Sequence, residues 1–221
     1  MPTVHVLLLA LCLASVSPAA RARGAATPIE QAIGAYERGD VDTARRMFEA
    51  LSRSGVPAAD YNLAVMALDA DEPAQAEAHM RRAAAGGFVT AMLGLGRLHE
   101  TGRLGRMDLP TAMHWYHLAA EGGSVEAMVE TGTAHYLGRG APLDKAQAAH
   151  WYREAAKGGD IGAQYLIASM YETGDGVPQD LRLARYWYAI AALNGDVAAP
   201  GKLKEIDARL GDATAPPTAP P

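Results

Sequence analysis

Cysteine is almost missing from this chain: Cys12 is the only one in 221 residues. It lies in an apolar stretch near the amino terminus, so the remaining two hundred or so residues have neither a disulfide framework nor a thiol catalyst. Large rings are scarce as well, with two Phe and three Trp beside nine Tyr. With abundant Ala, that balance suits helices packed through small residues better than a bulky sandwich core. Positive charge is not in excess either. The formal charge is −5, and no concentrated Lys/Arg face or polybasic patch exists to meet phosphates or a membrane surface, which argues against nucleic acid as the main partner. What is there is ample: 49% hydrophobic and 20% charged residues suffice for one domain with a substantial core or for an elongated array.

The first residues read as a targeting segment. From Val4 to Val16 the chain is apolar apart from His5, Cys12 and Ser15, the length of a signal-peptide core and too short to span a bilayer. Ala20 and Ala22 fit the A-x-A cleavage rule, so residues 1–22 are expected to be a signal peptide with a mature start near Arg23; Ala19 and Ala26 are the other acceptable last residues. A lipoprotein signal would need a small residue before Cys12, where Leu11 stands. Export without disulfides points to a bacterial periplasm or the cell exterior. No stable membrane insertion is expected once the signal is removed.

The richest feature is a period. Trp115-Tyr116, Trp151-Tyr152 and Trp187-Tyr188 recur 36 residues apart, and the other landmarks keep the same step. Ala91, Ala127 and Ala163 open a first helix. A Gly-rich loop follows (Thr101-Gly102, Gly138-Arg139-Gly140, Thr173-Gly174-Asp175-Gly176) and ends in Asp108, Asp144 or Asp180. A second helix carries Trp-Tyr and an Ala pair and stops at Gly122-Gly123, Gly158-Gly159 or Asn194-Gly195, whose Gly or Asn is expected to take the left-handed turn that closes a helix. The three aspartates are placed to cap the second helices, and the tryptophans to wedge between units.

A strict period of this length means stacked supersecondary units, whose usual product is a binding surface. The units are expected at about 56–87, 88–123, 124–159 and 160–195, within a repeat region 56–199. The first has a shorter connection at Asp71-Glu72-Pro73. Residues 28–55 read as an N-terminal helix pair, a cap or degenerate copy; residues 200–211 as a charged amphipathic capping helix; and residues 212–221 as a disordered Pro/Ala/Thr tail.

These residues resemble the Sel1-like repeat family, a branch of the tetratricopeptide-like helical repeats. The likeness is carried by Ala91, Leu95 and Gly96, by the loop Gly174, Gly176, Val177 with Asp180 after it, and by Trp151, Tyr152, Ala155, Ala156 and Gly159. The resemblance implies an all-α, right-handed α-α superhelical solenoid of stacked helix-turn-helix repeats, and adaptor or scaffold work in protein–protein complexes. Departures are His99 and His135 where the first helix usually ends in an aromatic, and Gly140-Ala141-Pro142 in place of Gly-Val-Pro.

Catalysis finds little support in the residues. No H-E-x-x-H, G-x-S-x-G or Walker loop occurs. His114 and His117 could share a helix face, yet His114 and His150 occupy one repeat position that Tyr186 fills in the last copy, which reads as structure or surface. Asp175 as a calcium ligand gives way to turn chemistry, because the EF-hand order of acidic residues is missing. No metal and no cofactor is therefore expected. A hydrolase acting on a β-lactam or cell-wall substrate is the alternative from another class, by analogy with a cysteine-rich branch of the family whose paired cysteines are absent here; a structural oligomerisation element is a third. In helix-pair arrays the first helices line the concave face, so positions there not demanded by packing are free for recognition. Asn62, Arg97, Glu130, Thr133, Gln164 and Ser169 are the expected contacts to a protein partner.

Overall fold

A computed structural model describes residues 26–213. The expected signal peptide and the end of the tail lie outside the described residues. Every regular element among the described residues is a helix: α1 (Pro28–Glu37), α2 (Val41–Arg53), α3 (Pro57–Asp69), α4 (Pro73–Ala85), α5 (Val89–Glu100), α6 (Leu109–Glu121), α7 (Val125–Leu137), α8 (Lys145–Lys157), α9 (Ile161–Thr173), α10 (Leu181–Leu193) and α11 (Ala199–Ala213). None of them is long and apolar enough to cross a membrane. The chain divides into two compact units, the first reaching Gly122 and the second starting at Gly123.

The helix starts are written locally. Pro28, Pro57 and Pro73 sit at first helical positions, where a missing N–H costs nothing. Asp108, Asp144 and Asp180 cap α6, α8 and α10 as the sequence implies, accepting from the amides of Thr111, of Ala146 and Gln147, and of Arg182 and Leu183. Ser124 and Asp160 do the same for α7 and α9. Each capping aspartate also donates its own amide back across the loop. Asp108 N–H reaches the His99 carbonyl, Asp144 N–H that of His135 and Asp180 N–H that of Tyr171, each at 2.9 Å. One backbone bond thus closes all three hairpins and fixes their loop length.

The helix ends correct one expectation. Gly122, Gly158 and Asn194 are not left-handed; their φ values are −73°, −71° and −86°. The left-handed residue is the next one, Gly123, Gly159 or Gly195, with φ of 91°, 94° and 99°, which only glycine adopts cheaply. The preceding glycine is there for space. A Cβ on Gly122 would lie 2.7 Å from Cγ2 of Val89, and one on Gly158 2.5 Å from Cγ2 of Val125. Each such glycine lets the end of a hairpin close against its own beginning.

In the first unit two clusters form the core. Ala32, Ile33 and Phe48 of the N-terminal pair meet Leu63 and Met66 of α3, while Tyr61, Ala64 and Val65 on the other side of α3 meet α4 and α5. α3 is buried continuously from Ala58 to Ala67, as a helix with neighbours on both sides must be. Asp60, only 6% exposed, is satisfied there by Ser52 Oγ at 3.0 Å and Arg82 Nε at 2.9 Å. Trp115 is half-buried against this core, with the Arg81 guanidinium 5.4 Å from its ring centre. The second unit has one cluster from α8, α9, α10 and α11, including Ile167, Trp187 and Tyr188. α11 closes it with Ile206, fully buried, and ties Lys202 and Arg209 to Glu172 at 3.5 and 3.1 Å. Trp151 and Trp187 are 8% and 9% exposed.

Candidate protein-interaction surface

The first helices of the three period-matched hairpins, α5, α7 and α9, place equivalent residues 36 apart. Gly94, Glu130 and Leu166 share one position; Arg97, Thr133 and Ser169 share the next along the same face. The Tyr of the Trp-Tyr pair takes different partners in the three copies. The Tyr116 hydroxyl donates to Glu100 Oε2 at 2.7 Å and the Tyr188 hydroxyl to Glu172 Oε2 at 2.8 Å. The middle copy has Tyr136 where those glutamates stand, so the Tyr152 hydroxyl pairs with Thr133 Oγ1 at 3.0 Å instead. Tyr136 then donates to Asp175 Oδ2 at 3.0 Å, and Lys145 Nζ joins the same carboxylate at 2.8 Å. The Lys145 hydrogen bond, with help from Tyr136, holds Asp175 below the usual carboxylate range. Asp175 is therefore a tether between the α9–α10 loop and the start of α8. Beside it, a Cβ on Gly176 would lie 2.3 Å from the Lys145 carbonyl oxygen.

A recess lies beside first helices in each unit. The first, of about 380 Å³, lies between α3 and α5, with Tyr61, Val65 and Leu68 on one side, Leu93 and Leu98 on the other, and Met80 beneath; the exposed Arg97 and Arg103 stand at its rim. Burial pushes the Tyr61 hydroxyl above its ordinary pKa, and the Arg97 charge pulls it back. The second, of about 90 Å³, is bounded by Tyr136, Tyr152, Leu166, Ser169 and Met170. Tyr152 is raised chiefly by burial, opposed by its Thr133 hydrogen bond and reinforced by Tyr136 and the negative charge of Glu130. The two recesses thus differ at their edges, since two arginines line the first and no charged side chain lines the second.

Of the six residues expected to touch a partner, Arg97 and Ser169 line these recesses. Glu130 and Thr133 are half-buried on the same face of α7. Asn62 and Gln164 are corrections. Asn62 is 0% exposed, with its amide donating to the Ala58 carbonyl at 2.7 Å. Gln164 is 2% exposed and works as a strut: its amide donates to the Ala156 carbonyl at 3.2 Å, and its oxygen accepts from Asn194 at 3.0 Å. Both positions look polar and free in the sequence, yet the packing of their helices closes over them. The apolar wall of α3 and the rim residue Arg103 escaped sequence reasoning. The signal was present in Tyr61, Val65 and Leu68, an i, i+4, i+7 row on a helix already apolar on its other side.

The described histidines lie with separate partners. His117 Nε2 faces Glu121 at 3.3 Å, the His114 ring lies on Trp115 at 5.5 Å, and His99 Nε2 is 3.4 Å from Glu77. Among the described residues no three His, Cys, Asp or Glu side chains gather at a spacing that would hold a metal.

Consecutive helical hairpins of one design, closed by the same loop bond and ending in the same left-handed glycine, define an all-α helical-repeat protein. The family model for the Sel1 repeat matches residues 89–124, 125–160 and 161–196, and the chain is a Sel1-like repeat protein. Among solved structures, it is similar to a protective antigen present in uropathogenic Escherichia coli strains displaying an SLR fold, at 27% identity and a TM-score of 0.67 over 74% of this chain. It is likewise similar to a Sel1 repeat protein from Oxalobacter formigenes, at 31% identity and a TM-score of 0.67 over 74% of this chain. The matched part spans 36% and 49% of those two chains. None of the curated proteins matches this chain. Sel1 repeats are typically protein-interaction modules.

Proposed function

We propose that this protein is an exported adaptor or scaffold that holds a protein partner along the first-helix face of its repeats and performs no catalysis of its own. The observation that carries this reading is the repeat position shared by the first helices α5, α7 and α9. Its equivalent positions have diverged into Arg97, Thr133 and Ser169 while the core around them keeps its pattern, and recesses open beside the first and third of them. A recess edged by mixed polar side chains suits an interface completed by shape and hydrogen bonds. Export is supported by the apolar stretch from Val4 to Val16 with small residues at Ala20 and Ala22.

The test is capture of partners from envelope and culture-medium fractions with the wild type, Glu130→Arg and Ser169→Arg, each checked for an unchanged melting curve. The wild type should recover a defined protein set and the two variants should lose it. Identical recovery by all three would remove this face from the reading. Recovery of the protein uncleaved in the cytoplasm would remove export.

A further inference from the structure

The recess between α3 and α5 differs from the one in the second unit in size, lining and charge. It holds about 380 Å³ against about 90 Å³. Its walls are apolar from Tyr61 and Val65 across to Leu93, and its rim carries two guanidinium groups, Arg97 from α5 and Arg103 from the loop after it. The repeat-equivalent residues are Thr133 and Arg139 in the middle hairpin and Ser169 and Asp175 in the last, so the pair of guanidinium groups occurs in this copy alone of the three. The volume is at the small end of those that bury a whole ligand and suits one or two side chains of a docked segment.

Arg103 already displays the chemistry it accepts. Its Nη2 lies 3.3 Å from Oδ1 of Asp71, whose side chain is 91% exposed. A pair so open to water contributes little, and an incoming carboxylate can displace it.

We propose that this recess docks a protein segment in which a bulky aliphatic residue stands next to Asp or Glu. The aliphatic side chain enters between Tyr61 and Leu93, and the carboxylate meets Arg97 and Arg103. This rests on the adaptor reading and adds the chemistry of the ligand. Segments flanked by Lys or Arg are turned away at the rim, which supplies selectivity as well as affinity.

The probe is a fluorescein-labelled peptide with two leucines flanked by aspartates, beside a twin in which the aspartates are lysines. Both are titrated by fluorescence anisotropy against the wild type, the double variant Arg97→Glu/Arg103→Glu, and Thr90→Trp, which plugs the recess from α5. All variants are first shown to melt like the wild type. The wild type should prefer the acidic peptide at least tenfold, with the preference shrinking as salt is raised. The double variant should abolish or invert that preference, and Thr90→Trp should weaken the acidic peptide at least fivefold. Equal binding of the two peptides by the wild type, or a preference untouched by the double variant, overturns the proposal. So does rim-dependent binding of phosphatidylglycerol vesicles with no binding of either peptide, which would assign the recess to lipid. If the recess variants bind captured partners as the wild type does while Glu130→Arg loses them, the docking site is wrong and the adaptor reading stands. If the wild type captures no protein, the adaptor reading falls by itself.

Discussion

Tyr116 shows how a single side chain sets the tolerance of its neighbours. Its ring lies so close to α5 that a Cβ on Gly96 would come within 2.4 Å of it. In the last hairpin the equivalent residue is Ala168, fully buried, with Tyr188 also fully buried nearby. Gly96→Ala should therefore destabilise by roughly 1–3 kcal/mol through overpacking, although Ala favours a helix over Gly by about 1 kcal/mol. Gly132→Ala, whose Cβ would stand 2.9 Å from the Tyr152 ring, should cost less. Urea denaturation decides it. A Gly96→Ala protein at least as stable as the wild type would show that the ring has room to retreat. The sequence displays these glycines in register but not which ring each one faces, because that depends on the crossing of the two helices.

At the scale of the element, the hairpin owes its identity to three recurring pieces. They are the capping aspartate with its return bond to residue 99, 135 or 171, the left-handed glycine at the end (Gly123, Gly159 or Gly195), and the tryptophan on the second helix. Trp151 and Trp187 are nearly fully buried, whereas Trp115 is only half-buried beneath Arg81. Truncating a buried tryptophan removes its transfer free energy and leaves a cavity, together roughly 3–5 kcal/mol. Trp151→Ala and Trp187→Ala should each fall in that range and Trp115→Ala should cost less. Thermal melts in which all three lose equally, or in which Trp151→Ala melts like the wild type, would refute the ranking. Caps, period and helix ends were legible because they are local. The division of labour between Gly122 and Gly123 was not, since it turns on a contact with Val89 more than thirty residues earlier.

Across the whole molecule the ionisable groups define a pH window. Backbone and hydroxyl hydrogen bonds from Thr111 hold Asp108 below its ordinary value, a Lys157 bond does so for Glu154, and a Lys145 bond for Asp175. A carboxylate that titrates lower in the folded chain stabilises it fully above the ordinary carboxylate value and loses that contribution as the pH falls through the lowered one. Tyr36, pushed up from 10.0 to about 12 by burial and by its hydrogen bond to Asp69, acts at the other end. Its contribution is complete below the unfolded value and is lost as the pH rises through the folded one. The melting midpoint should be flat over roughly pH 5–8 and fall on the acid side. Asp175→Asn should reduce the loss between neutral and acid pH; a variant with the wild-type acid slope would show that the Asp175 tether contributes nothing.

By itself, the sequence determined that the chain is helical, that its hairpins repeat every 36 residues, where most second helices begin, and that Arg97, Thr133 and Ser169 occupy one repeat position. Those come from period, capping chemistry and helix geometry, which act over a few residues. Only the tertiary structure decided that Asn62 and Gln164 are sealed inside, that Asp175 is spent on Lys145 and Tyr136, and that α3 and α5 leave an apolar recess under two arginines. These outcomes depend on how far apart neighbouring helices come to rest. That spacing is set by the side chains of both partners at once, and no single stretch of chain contains it.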